Sequence, residues 1–107
     1  MFARLIEATA KPGKKDEIVT ILTNELLPVL KRQPAFVDVI GLSGDTALEE
    51  GATLTFWKTK NEAETFYKTL EFTKIMDRIT PLVERMNIRT FNVDISTMHK
   101  IAAAKAA

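Results

Sequence analysis

Two runs, FVDVIGLS at residues 36–43 and ATLTFWKT at residues 52–59, flank a polar stretch from Gly44 to Gly51. Both are rich in β-branched and aromatic residues, and a short polar link between two such runs predicts a β-hairpin. Successive strand side chains alternate sides, so Leu54 and Phe56 point one way while Thr53, Thr55 and Trp57 point the other.

Working outward, each side of the hairpin reads as a helix. Upstream, Ile18, Ile21, Leu22, Leu26, Val29 and Leu30 recur at three- and four-residue steps and share one helical face. Asp16 and Glu17 suit the positive N-terminal end. Pro28 removes the backbone hydrogen bond to the Asn24 carbonyl, which predicts a kink, and Pro34 ends the helix. Downstream, Asn61-Glu62-Ala63-Glu64 predicts a start capped by Asn61 with Glu64 three residues on. Phe72, Ile75, Met76, Ile79, Leu82, Val83 and Met86 then trace one face, with Thr80-Pro81 opening a short final turn. The outermost segments read as strands. The first covers residues 2–10 and stops at Lys11-Pro12-Gly13; the last covers 87–97, with Arg89, Phe91, Val93 and Ile95 alternating against Thr90, Asn92, Asp94 and Ser96.

The order β-α-β-β-α-β predicts an α+β, ferredoxin-like sandwich with both helices on one face of a four-stranded antiparallel sheet. Residues 1–98 form the domain, and 99–107 form a C-terminal tail whose alanine-rich end reads as frayed or weakly helical. Phe2, Arg4, Ile6 and Ala8 oppose Ala3, Leu5, Glu7 and Thr9 across the first strand. Apolar residues therefore occupy both sheet faces, and covering the free face with a second copy predicts a homodimer.

Composition narrows the function. The 107 residues carry a formal charge of +1 with both signs interspersed, no footprint for nucleic acid or an anionic membrane. No apolar run is long enough to cross a bilayer and the N-terminus lacks the order of a secretion signal, so the expected setting is cytoplasmic. Without cysteine there is no disulfide, thiolate nucleophile or thiolate metal site. Asp45, Glu49 and Glu50 read as a solvated loop, and no metal is predicted. Gly13-Lys14-Lys15 lacks the rest of a phosphate loop.

Candidate binding residues are few. Trp57 fits a stacking wall of an aromatic pocket and the interior equally well. Tyr67 offers a hydrogen-bond donor, although packing with its hydroxyl near water is the preferred reading. Arg4 sits mid-strand among apolar neighbours, where a charge needs a partner: either a ligand oxyanion or, preferred here, Asp38 or Asp94. Those two aspartates would serve as bases only if burial raised their proton affinity. His99, the single histidine, lies beyond the last strand and is a poor catalytic candidate.

Four segments together resemble the antibiotic biosynthesis monooxygenase family. They are Glu7-Ala8-Thr9-Ala10-Lys11-Pro12-Gly13-Lys14, Leu30-Lys31-Arg32-Gln33-Pro34-Ala35-Phe36, Thr53-Leu54-Thr55-Phe56-Trp57-Lys58-Thr59-Lys60-Asn61-Glu62-Ala63 and Leu70-Glu71-Phe72, where the second helix is expected to break. The resemblance implies a dimeric α/β barrel, with two sheets packed face to face and a pocket in each subunit between sheet and second helix. Members include cofactor-independent oxygenases acting on quinols and polycyclic aromatic phenols, and haem-degrading enzymes. The haem-degrading branch uses an Asn, a Trp and a His where Ile6, Phe66 and Met76 stand here, so haem degradation is not expected. Some quinol-oxidising members carry a His where this chain has Glu71. The expected function is a cofactor-independent monooxygenase on a small aromatic phenol or quinol, needing no cofactor, with no catalytic residue assigned. Trp57, Arg4, Ile6, Phe66, Tyr67, Phe72 and Met76 are its expected substrate-binding residues. The rival expectation is a non-catalytic homodimeric module that binds a small apolar ligand or a protein partner.

Overall fold

A computed structural model describes residues 1–101. Strands β1 (Phe2–Ala10), β2 (Phe36–Ser43), β3 (Glu50–Trp57) and β4 (Val83–Asn92) form one antiparallel sheet in the order β2-β3-β1-β4. Between β1 and β2 run α1 (Lys15–Ile21), a π-helical turn (Leu22–Leu26) and α2 (Leu27–Lys31); between β3 and β4 run α3 (Lys60–Tyr67) and α4 (Leu70–Ile79). The expected ferredoxin-like α+β fold is the one observed.

Local chemistry explains the element ends. After β1, the Lys14 N–H donates to the Lys11 carbonyl at 3.0 Å, closing a turn in which Gly13 takes φ +75°, a conformation costly for a side-chain-bearing residue. The π turn precedes Pro28, with the Leu27 N–H reaching the Leu22 carbonyl five residues back. Widening the helix there accommodates a ring that would otherwise clash with the preceding turn, so the apolar stripe continues through the proline.

Two expectations about boundaries need correction. The cap of α3 is Thr59, not Asn61. Its Oγ1 accepts from the Glu62 N–H at 3.2 Å and donates to the Glu62 carboxylate at 3.0 Å, so the capping box sits two residues earlier. The expected break of the downstream helix is present: a second cap, Thr69, accepts from the Phe72 N–H and starts α4 at Leu70. Strand β4 covers Val83–Asn92 rather than 87–97, because its register against β1 begins at Ala10–Val83 and ends at Phe2–Asn92, where β1 itself ends.

Beyond β4 the chain stays against the sheet. The Val93 N–H donates to the Met1 carbonyl at 2.9 Å, and His99 Nε2 lies 3.4 Å from an Asp38 carboxylate oxygen with its ring near Phe56. The alanine-rich end expected to fray lies outside the described residues.

The core fills the space between sheet and helices, where Phe2 and Trp57 meet Ile21, Leu26, Leu30, Phe66, Phe72, Ile75 and Ile79. Ion pairs Arg32–Glu71 (2.7 Å) and Arg78–Glu25 link α4 to the first helical segment. Both are exposed and add little stability. On the opposite sheet face Ile40 and Phe91 remain 42% and 41% exposed. No described helix is long and apolar enough to cross a membrane.

Candidate functional site

Across β2, β3 and β1 the strand register sorts helix-facing side chains into rows of falling size. Phe2, Trp57 and Phe36 form the first row; Arg4, Thr55 and Val39 the second; Ile6, Thr53 and Gly41 the third; Ala8, Gly51 and Ser43 the last. Large residues at one end meet the helices and pack. At the other end these three strands present almost no side chain, while Met86 of β4 stands beside Ala8, and the helices cannot descend to close the gap without breaking contacts at the first row.

The result is an apolar cavity of about 410 Å³, within the range of small-molecule sites. The sheet supplies Ile6, Ala8, Gly41, Gly51 and Thr53, and the helices supply Ile18, Leu22, Leu26, Leu27, Met76 and Ile79. A Cβ built on Gly41 would meet nothing within 4 Å, so this glycine borders open space. Half-buried Lys15 and exposed Val19, Thr23 and Glu49 mark the mouth, beside the β2–β3 hairpin; Tyr67, Phe72, Thr55 and Leu30 mark the inner end.

Polar groups concentrate at that inner end. The Arg4 guanidinium carbon lies 3.7 Å from the Tyr67 ring centroid and 5.6 Å from that of Phe72, a cation–π arrangement against two cavity walls. Its Nη1 is buried and has no hydrogen-bond partner. Leaving such a donor unsatisfied costs about 1–3 kcal/mol, more for a charged group, so the position invites an acceptor. The expected pairing of Arg4 with Asp38 or Asp94 is not observed. Arg4 projects toward the helices, whereas Asp38 opposes Phe56 on the other face, accepts from the Val39 N–H and neighbours His99. Asp94 lies beyond β4 and is exposed.

Tyr67 is held from behind. The Trp57 indole N–H donates to Tyr67 Oη at 3.0 Å, and an indole can only donate. The phenol therefore accepts from Trp57 and keeps its own proton for another acceptor. Trp57 itself is 1% exposed and packs on Phe36, Phe66 and Tyr67.

The structure thus divides the seven expected binding residues. Ile6, Tyr67, Phe72 and Met76 line the cavity; Arg4 lies against its aromatic end; Trp57 and Phe66 form the layer behind. Glu71 is exposed and paired with Arg32, outside the cavity. Sequence reasoning missed Ala8, Gly41 and Gly51, whose only signal is small size at alternate, inward positions of three strands. Among the described residues no cluster of His, Asp and Glu converges on a metal-sized site.

A helix-covered antiparallel sheet enclosing an apolar hollow defines a ferredoxin-like α+β domain with an internal ligand-sized cavity. Its fold is shared by solved antibiotic biosynthesis monooxygenases. SnoaB, a cofactor-independent oxygenase from Streptomyces nogalater, superposes with a TM-score of 0.81 at 12% identity, over 92% of this chain and 97% of that one. A Nitrosomonas europaea protein provisionally assigned to the antibiotic biosynthesis monooxygenases gives 0.77 at 15% identity, over 87% and 98%. A conserved protein from Methanosarcina mazei Go1 gives 0.77 at 14%, over 88% and 94%. At such identities the likeness is one of fold. No family model matches the chain, and no curated protein sequence does.

Proposed function

We propose that this protein is a cofactor-independent monooxygenase acting on an aromatic phenol or quinol bound in the hollow. One observation carries the reading: a buried guanidinium N–H without a partner lies against Tyr67 and Phe72, the two rings that close the inner end of an apolar cavity. A phenolate oxygen satisfies that donor, and the Tyr67 hydroxyl offers a second hydrogen bond. The shared fold with an oxygenase described as cofactor-independent supports the same reading.

In this chemistry the deprotonated substrate passes an electron to dioxygen itself. One oxygen atom ends as a carbonyl on the substrate, and the other leaves as water with the two hydrogens the substrate loses. The protein's task is to hold the ring, stabilise the anion and exclude water, which the hollow's aliphatic walls do. Adding the protein to air-saturated quinols and anthrones should raise oxygen uptake above the spontaneous rate; a panel showing no stimulation refutes the assignment.

The cavity offers no acid–base pair, since its carboxylate and ammonium, Glu49 and Lys15, stand at the mouth. That favours, as a second reading, a non-catalytic module that sequesters an apolar ligand. Quenching of Trp57 fluorescence without oxygen uptake would distinguish it.

Either activity is proposed to reside in a cytoplasmic homodimer. Exposed Ile40 and Phe91 on the free sheet face supply the apolar surface for a second copy. Sedimentation at micromolar concentration should give a dimer that Ile40→Asp shifts to monomer; a wild-type monomer defeats the proposal.

A further inference from the structure

The geometry points to a particular shape of ligand: a single phenolic or quinol ring carrying an unbranched aliphatic tail, rather than a fused polycycle. This inference rests on the proposed function for its acidic head and goes beyond it in naming the body.

Aromatic residues occur only at the inner end of the cavity, where Tyr67 and Phe72 face Arg4. Flat rings prefer aromatic walls at stacking or edge contact, so one ring belongs there. From that row to the mouth the walls are aliphatic, from Ile18 and Leu22 to Ile79 and Val83. The floor beneath them is a trough made by Gly41, Ala8 and Gly51. Four strand residues separate the Arg4 row from the Ala8 row, a distance of roughly 13 Å. An extended chain of about eight to ten carbons fills that length. It would emerge between Val19 and the hairpin, where exposed side chains border the mouth.

Gly41 is the residue that sets this length. It is in extended backbone with no positive φ, and its missing Cβ would point into empty space. A larger side chain there is conformationally permitted and would block the trough midway. Gly51 is less suitable for such a test because a Cβ on it would stand 3.2 Å from the Leu42 carbonyl oxygen.

The test titrates the full chain with 4-alkylphenols from ethyl to decyl, reading Trp57 fluorescence, with anthrone as the fused comparison. Wild-type affinity is expected to tighten roughly fourfold per added methylene, levelling off near octyl. Gly41→Leu should end the gain at a shorter chain, and Gly41→Ala should shorten it less, each checked for an unchanged circular dichroism spectrum. Affinity independent of chain length, or anthrone binding more tightly than octylphenol, overturns the inference. So does a long-chain carboxylic acid outcompeting octylphenol, since the head would then not be a phenol. Oxygen uptake read on 2-alkylhydroquinones of the same chain lengths, which keep oxidisable ring C–H positions, separates the two levels. Turnover without chain-length dependence overturns the tail and leaves the oxygenase; chain-length-dependent binding without turnover supports the tail and overturns the oxygenase.

Discussion

Arg4→Met should weaken binding of a phenolate ligand roughly tenfold to a hundredfold, the worth of a charge-assisted hydrogen bond in a dry site, while moving the melting temperature by only a few degrees. The second half is the more telling. A buried charged residue with a full set of protein partners is normally costly to remove, by about 3–5 kcal/mol. Arg4 has no carboxylate among the described residues, and its Nη1 has no acceptor. Its removal loses the stack on Tyr67, about 0.5–2 kcal/mol, and relieves an unsatisfied donor of similar cost. The two offset, and methionine keeps most of the apolar stem that packs between Phe2 and Ile6. Calorimetry and fluorescence titration on the same variant check both halves. A large drop in melting temperature with unaltered ligand affinity would make Arg4 a structural residue and remove the observation that supports the binding site.

Truncating Trp57 should give the largest stability loss. Trp57→Ala opens a cavity among Phe36, Phe66 and Tyr67 and is expected to cost about 3–5 kcal/mol, a large fraction of the roughly 5–15 kcal/mol typical of a domain. Chemical denaturation measures this directly. Tyr67→Phe isolates the polar part: it strands a buried indole N–H whose partner among the described residues is Tyr67 Oη, for about 1–3 kcal/mol. In the double variant Trp57→Ala/Tyr67→Phe that second cost should disappear, because no N–H remains to strand. Strict additivity would show that the hydrogen bond does not hold Tyr67. The consequence for function is indirect. Trp57 touches no cavity space, so its influence on a ligand runs through the position of the Tyr67 hydroxyl.

Much of the fold can be read from residue order alone. The hairpin at 36–57 shows itself through alternation and β-branched content, and the helix across Pro28 through an apolar stripe that does not lapse. Details that failed share a cause: the decisive partner was another element. Thr59 and Asn61 are both plausible caps by type, and the exit direction of β3 selects Thr59. Strand β4 includes the polar Glu84 and Arg85, unremarkable in isolation, because β1 pairs with Arg85 and Val83 and takes up Glu84 between them at a bulge.

Four cavity-lining residues could be named in advance, Ile6, Phe72 and Met76 from a family likeness and Tyr67 from its hydroxyl, since a lining residue has a side chain to notice. Gly41, Gly51 and Ala8 could not, because a hollow is made by side chains that are missing, and small residues occur in strands for many reasons.

By itself the sequence determined the element order, the α+β class, the apolar faces and the absence of cysteine chemistry, all of which depend on local periodicity and composition. Tertiary structure alone decided that Arg4 faces the helices without a partner, that Trp57 braces Tyr67, and that three strands align their smallest residues into one trough. Those features depend on register, and register joins residues more than forty positions apart, such as Ala8 and Gly51.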